Sequence, residues 1–361
     1  MMMRSNFWQG RRVFLTGHTG FKGSWLSLWL AKMGAHVTGF ALAPDTTPNL
    51  YSLTRVADDI ESIIGDVREP KCVLDAMRSA APEIVFHLAA QPLVRYSYVQ
   101  PVETYSTNVM GTVHVLEAVR QVNTVRAVVN VTSDKCYENL EHGRPFIEGD
   151  AMGGHDPYSS SKGCAELVTA AYRNSYFHPG KFDSHGVALA SARAGNVIGG
   201  GDWSEDRLVP DIMRSFSKGE RVHIRSPNAV RPWQHVLEPL AGYLLLAEHL
   251  YEQGVAFAEG WNFGPTLRDA KPVQWVVSKL TQEWGAGAHW HVDGEDQFHE
   301  ANFLMLDSTK ARERLRWHSV WTLEQTLSRI VSWHKSHIAG DDMREHCISE
   351  MASYYRDSSD V

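Results

Sequence analysis

Arg12-Val13-Phe14-Leu15-Thr16 runs directly into Gly17-His18-Thr19-Gly20-Phe21-Lys22-Gly23. The first five residues are a β-rich run, and the next seven form a glycine turn spaced GxxGxxG. From Ser24 to Met33 apolar residues recur at helical spacing, and after Gly34 a second β-rich run leads to Ala41. Strand, glycine turn, helix and strand in immediate succession predict a βαβ unit. Glycines so placed permit a tight turn and let a pyrophosphate approach the backbone at the positive end of the helix. The motif follows a strand and opens a helix, which is the context that gives it meaning. It predicts a bound dinucleotide held by Gly17, His18, Thr19, Gly20, Phe21 and Gly23.

The second run ends Gly39-Phe40-Ala41-Leu42-Ala43, with Asp45 beyond it. No acid stands there for a ribose 2′-hydroxyl and no arginine for a 2′-phosphate, so this run specifies NAD against NADP only weakly; NAD is the expected cofactor, with NADP open. Asp66 and Val67 are expected to flank the adenine. Leu88, Ala89 and Ala90 close the apolar run that begins at Ile84 and are expected on the cofactor too.

Ile84–Ala90 and Ala127–Thr132 are near-continuous apolar runs, the signature of strands buried on both faces of a parallel sheet. Val102–Val122 and Tyr158–Ser175 read as long helices between them. Beyond Gly199-Gly200-Gly201 the regularity drops. The expected fold is α/β: a doubly wound parallel sheet over residues 1–200, then a smaller, partly interleaved α/β lobe over 201–340. Residues 341–361 carry Asp341, Asp342, Glu345, Glu350, Asp357 and Asp360 and read as a solvated, partly frayed acidic tail.

A net charge of −7 argues against a nucleic-acid partner, which would need a basic stripe. Four dispersed cysteines with no CxxC pair argue against a disulfide framework or zinc site. Met1–Gly10 lack the apolar stretch of a signal peptide, and Leu240–Tyr251 falls short of the ~20 residues that span a bilayer. A cytoplasmic protein without a membrane anchor is expected. His289-Trp290-His291 is the tightest histidine pair and too sparse a set to predict a metal.

Tyr158-Ser159-Ser160-Ser161-Lys162 sets a phenol and an ammonium four residues apart, on one face of a helix begun by Asp156-Pro157. A neighbouring ammonium and a nicotinamide cation favour the phenolate, so Tyr158 is a candidate base. Val131-Thr132-Ser133-Asp134-Lys135 carries a strand into a hydroxyl, a carboxyl and an amine. That point is the carboxyl end of a sheet strand, where open α/β sheets bind ligands.

The glycine turn, the Tyr158/Lys162 pair and Arg193-Ala194-Gly195-Asn196-Val197-Ile198-Gly199 together resemble the extended short-chain dehydrogenase/reductase superfamily, over nearly the whole chain. The resemblance implies a Rossmann sheet and a nucleotide-sugar substrate. Ser133-Asp134-Lys135 resembles the Thr/Ser-Asp-Glu signature of sugar-nucleotide 4,6-dehydratases. The form SDKCYEN, with Arg231-Pro232-Trp233-Gln234-His235-Val236, most resembles the branch working on CDP-glucose in deoxyhexose synthesis for surface polysaccharide. Three positions depart from the general pattern. Lys135 replaces the glutamate used as C5 base, Gln91 stands where many dehydratases have Glu, and His18 replaces a small residue. The His18 imidazole is expected to crowd the pyrophosphate and loosen the cofactor.

The implied chemistry is an internal redox cycle. Tyr158 takes the proton of the sugar C4 hydroxyl as hydride leaves C4; Lys162 lowers the tyrosine pKa, and Ser133 bonds O4. Asp134 protonates the departing C6 hydroxyl, and hydride returns to C6. Lys135 is either the C5 base or an electrostatic clamp on Asp134. The resemblance places Asn196 and the Arg231 fork on the sugar nucleotide, adds Gln91, and makes Arg207 a weaker candidate. It also implies a homodimer or homotetramer, with helices matching Val102–Val122 and Tyr158–Ser175 paired across a two-fold axis. The rival readings are another nucleotide-sugar dehydratase or 4-epimerase, and a catalytically silent cofactor-sensing protein. Tyr158 and Lys162 speak against the silent one.

Overall fold

A computed structural model describes residues 5–140, 143–292 and 304–359. Met1–Arg4 and Asp360, on which the readings of the two ends partly rest, lie outside the described residues. The apolar runs become strands: β1 (Arg12–Thr16), β2 (His36–Ala41), β3 (Glu61–Ile64), β4 (Ile84–His87), β5 (Ala127–Val131) and β6 (Ala188–Arg193). With Gly260–Asn262 they form a seven-stranded sheet in the order 260–262, β6, β5, β4, β1, β2, β3. Every pairing is parallel. The chain winds outward one way from β1 through β2 and β3, then the other way from β4. The crevice between the carboxyl ends of β1 and β4 is therefore the switch point at which such sheets bind ligands.

β4, β5 and β6 are buried at every residue, because helices cover both faces. One face packs against Phe21–Lys32 and Leu237–Gln253, the other against Pro70–Ala80 and Gly111–Gln121. The run expected as one helix over Val102–Val122 begins at Pro101 and carries a π turn at Ser106–Met110 before Gly111–Gln121. The helix that carries Tyr158 and Lys162 spans Pro157–Ser175, with Asp156 accepting from the Ser159 backbone N–H as its cap.

A third core joins the helices Leu208–Lys218, Val273–Trp284 and Leu323–Ala339 in the smaller lobe. The lobes exchange elements: Gly260–Asn262 pairs with β6, and Leu237–Gln253 lies against the large sheet. Among the described residues no helix is long and apolar enough to cross a membrane.

Over its described residues the acidic tail is not frayed. Met343–Asp357 is a helix whose Met343, Cys347, Met351 and Tyr354 are buried. Those four recur at helical spacing, an apolar stripe hidden among the charges. Tyr354 donates to the buried Glu238 at 2.7 Å, and Arg344 donates to the Thr54 carbonyl at 2.9 Å. The Glu350 carboxylate lies 3.1 Å from His235 Nε2, so one of the counted acids is buried in an ion-pair geometry. Burial pushes the Glu238 carboxyl up to about 7, against the Val320 and Trp321 N–H groups it accepts.

Candidate active site

The three glycines of the turn do different work. Gly17 has φ 82°, and a Cβ there would stand 2.8 Å from Ala89 N. A Cβ on Gly23 would stand 1.9 Å from the Gly17 carbonyl, so the third glycine lets the helix close on the turn. Gly20 caps Phe21–Lys32 and is exposed, an added Cβ would meet nothing nearer than the Gly17 carbonyl at 3.5 Å, and no acid stands in the helix's first turn. A bare backbone cradle at a helix N-terminus fits a dinucleotide pyrophosphate.

Thr16 Oγ1 accepts from the N–H groups of Leu88 and Ala89, both at 3.1 Å, and pairs with His87 Nδ1 at 2.7 Å. This fixes Leu88, Ala89 and the following Ala90, each half-buried, beside the cradle. Burial pushes His87 down to about 3, so its Nδ1 is free to accept from Thr16. Thr19 donates to the Leu42 carbonyl at 2.8 Å. The Phe21 ring packs beside Gly199, whose added Cβ would meet it at 3.1 Å.

His18 does not crowd the cradle. Its buried ring turns away, with Nε2 2.7 Å from Ser62 Oγ and its edge toward Tyr51. It fills the slot left by Gly39, where an added Cβ would lie 2.4 Å from the ring. The expected loosening of the cofactor thus loses its steric cause. Asp66, after β3, accepts from Arg68 N, Nε and NH2, at 2.6 Å for the shortest, and that pairing holds its carboxyl below the usual range. Val67 is buried against Gly111, and its carbonyl accepts from His114. No acid ends β2; Leu42 and Ile64 are exposed there instead, an apolar edge that suits a base.

At the end of β5, Ser133 caps a short turn over Asp134–Cys136, accepting from Lys135 N at 3.3 Å. The Pro157–Ser175 helix presses on this turn, since a Cβ on Gly163 would lie 3.2 Å from the Cys136 carbonyl. Tyr158 and Lys162 are both buried facing it. Burial pushes the Tyr158 phenol up to about 12, against the opposing Ser133 hydrogen bond. Lys162 is pushed down to about 8 by burial, and its Nζ reaches the Val131 carbonyl at 3.5 Å. Without the nicotinamide cation, burial thus works against the phenolate that the bound cofactor is expected to favour. Asp134 is 1% exposed, accepts from Ser133 Oγ at 3.0 Å and has Lys135 Nζ 3.9 Å away.

Of the expected substrate contacts, Arg207 lies at this centre, and Asn196 follows Gly195 beside Asp134. Asn196 has φ 40°, and its buried Nδ2 finds no partner among the described residues. Arg207 is paired to Asp202 at 3.0 Å, and its charge acts on both Tyr158 and Lys22. Arg231 lies on Val230–Pro232 in the smaller lobe, opposite Lys271. Gln91 is placed otherwise. Its amide donates to Thr104 Oγ1 at 2.8 Å and accepts from Leu93 N at 2.5 Å, so both ends are engaged in the protein's own framework.

Lys22 was not singled out by the sequence reading, although it sits inside the glycine turn. Its amine lies 5.9 Å from the Tyr243 ring centre. Burial, with the charges of Lys162 and Arg207, pushes it down to about 7. Beneath the centre Glu166 accepts from Thr132 Oγ1, Ser191 Oγ and Arg193 NH2, at 2.5, 2.7 and 2.7 Å. Arg193 also donates to Tyr137 Oη at 2.6 Å. This ties β5, β6 and the catalytic helix together.

The sequence model of the GDP-mannose 4,6 dehydratase family matches residues 14–330. The chain belongs to that family. A CDP-glucose 4,6-dehydratase of Salmonella typhimurium is 58% identical to this member of the GDP-mannose 4,6 dehydratase family over 98% of both chains. A UDP-glucuronate 4-epimerase of Arabidopsis thaliana is 32% identical over 91% of this chain and 77% of its own. In fold, the chain is similar to a dTDP-glucose 4,6-dehydratase from Bacillus anthracis solved with NAD. That pair has a TM-score of 0.73 at 21% identity, over 93% of this chain and 100% of the other.

Proposed function

We propose that this protein is a nucleotide-sugar 4,6-dehydratase, a hydro-lyase that converts CDP-glucose to the CDP-4-keto-6-deoxy sugar and water with NAD as resident cofactor. The observation that carries the reading is the buried Ser133–Asp134 turn held against the Tyr158/Lys162 face. A 4-epimerase has no use for a buried acid there. The choice of CDP-glucose is supported by 58% identity to the Salmonella typhimurium enzyme over 98% of the chain.

The glycine cradle, with Leu88, Ala89 and Ala90 beside it, would hold the cofactor, and Tyr158 and Lys162 would meet its nicotinamide end. When bound, NAD supplies a hydride acceptor, later a donor, and a positive charge near the phenol. The residues do the rest. Tyr158 receives the C4 hydroxyl proton while Ser133 holds O4. The phenol, pushed up to about 12 by burial, needs a nearby cation to release its own proton, so its basicity is coupled to site loading. Once C4 is a ketone, the C5 proton is acidic. Lys135 takes it, and Asp134 protonates the departing C6 hydroxyl. The 3.9 Å between Lys135 Nζ and Asp134 Oδ1 is an ion-pair distance, so the step requires the bound substrate to hold the amine neutral and the carboxyl protonated. Asn196, Arg207 and Arg231 are assigned to the sugar nucleotide, and Gln91 to the framework.

The helix faces carrying Tyr98, Val99, Val102, Met110 and Leu167 are exposed, 73% at Val99, 78% at Val102 and 60% at Leu167. A second copy of the chain across a two-fold axis is the proposed cover. Free cysteines, two of them buried, accord with a reducing cytoplasm.

The test is incubation of the purified protein with NAD and CDP-glucose, dTDP-glucose, GDP-mannose or UDP-glucose in parallel. A 4-keto-6-deoxy product, read by its alkali-induced ultraviolet absorbance, is expected with CDP-glucose. An epimer without dehydration would overturn the reading.

A further inference from the structure

A carboxylate oxygen of Asp134 occupies the space that a side chain at Gly195 would fill. A Cβ built on Gly195 would stand 1.7 Å from Asp134 Oδ2 and 2.2 Å from its Cγ. Gly195 is not among the positive-φ glycines, so the requirement is for space and not for torsion. Neither partner has room to withdraw. Asp134 is 1% exposed, and its other oxygen is held by Ser133 Oγ at 3.0 Å. Behind Gly195, the buried Gln234 donates from Nε2 to the carbonyls of Gly195 and Phe263 at 3.3 and 2.8 Å. The Gln234 backbone N–H bonds the Asn196 carbonyl at 3.3 Å. Phe263 is itself tied to the Arg193 carbonyl at 2.8 Å. Asp134 Oδ2 finds no hydrogen-bond partner among the described residues, so this oxygen is seated by shape alone.

We propose that Gly195, pinned by Gln234, is a positioning residue for the dehydration step: its bare Cα seats Asp134 in the one rotamer from which it protonates the C6 oxygen. The proposal rests on the 4,6-dehydratase reading above. In that step the C5–H bond breaks and its proton goes to the Lys135 amine. The electron pair becomes the C5=C6 double bond, and the C6–O bond breaks with its electrons. The Asp134 proton completes the water, leaving a carboxylate. The preceding C4 oxidation does not use Asp134.

The test is Gly195→Ala, assayed with CDP-glucose and with its 6-deoxy-6-fluoro analogue, whose fluoride leaves without a proton. Turnover of CDP-glucose should fall by about a hundredfold or more, the usual share of a general acid. Turnover of the fluoro analogue should stay within a few-fold of wild type. Wild-type turnover of CDP-glucose by the variant, or equal losses on both substrates, would overturn the proposal. Thermal unfolding gives a readout independent of turnover. Gly195→Ala should lower the melting temperature of the wild type but not that of an Asp134→Ala background, where the methyl has room. Equal losses in both backgrounds would overturn the packing argument. A wild type that makes no 4-keto-6-deoxy product would bring down the functional reading and this proposal together. A normal wild type beside an unaffected Gly195→Ala would bring down only the proposal.

Discussion

Arg193 NH2, at the end of β6, lies 2.7 Å from Glu166 Oε2 on the helix that carries Tyr158 and Lys162, with the two side chains 6% and 4% exposed. Glu166 also accepts two hydroxyls, so every part of its charge is met locally. Arg193→Met would leave that carboxylate buried and unpaired, and loss of about 3–5 kcal/mol of stability is expected. Denaturant unfolding should show the midpoint shift with an unchanged slope. A loss under about 1 kcal/mol would mean the pair is replaceable.

Gly20 and Gly23 should separate cofactor binding from folding. A Cβ on Gly20 would come no nearer than 3.5 Å to the Gly17 carbonyl, so Gly20→Ala should fold normally. Its methyl would project into the cradle, and NAD affinity should fall about tenfold or more, at least about 1.4 kcal/mol. Gly23→Ala meets the Gly17 carbonyl at 1.9 Å and should fail to accumulate as folded protein. Calorimetric titration with NAD, alongside a melting curve, checks both.

Tyr158→Phe should remove the proton acceptor while keeping the packing of the ring. CDP-glucose turnover should fall by roughly a hundredfold to ten-thousandfold. The melting temperature should stay close to wild type. If turnover persists, another group deprotonates the C4 hydroxyl.

Acid should unfold the protein through its buried histidines. Burial lowers His18 from 6.5 to about 4 and His87 from 6.5 to about 3. Both stay neutral when folded and take up a proton on unfolding below pH 6.5. The unfolded state binds more protons at these two residues in that window, so their contribution to stability is full above pH 6.5 and declines toward pH about 4 for His18 and about 3 for His87, while Glu238, raised to about 7, acts in the opposite sense. Urea midpoints measured against pH should fall accordingly. His87→Gln should flatten the slope by about one proton.

Much of this enzyme was legible in order along the chain. The GxxGxxG turn between a strand and a helix, and the i, i+4 pair Tyr158/Lys162, are local patterns whose geometry follows from the period of the backbone. The buried strands announced themselves as continuous apolar runs. The C-terminal helix was obscured because its apolar stripe lies scattered among charged and polar residues, and only docking against Glu238 and Thr54 shows which face matters.

The sequence by itself determined the strands of the sheet, the cofactor turn and the candidates for the reacting groups, because each depends on residues near one another in the chain. Tertiary structure alone decided where His18 points, since the slot that receives it is a missing side chain at Gly39 on another strand. It decided that Gln91 bonds Thr104 and Leu93 and that Lys22 is buried within reach of the charges of Lys162 and Arg207. It also brought Gly195 against Asp134, a contact between separate strand ends for which close packing, and no local pattern, is the cause.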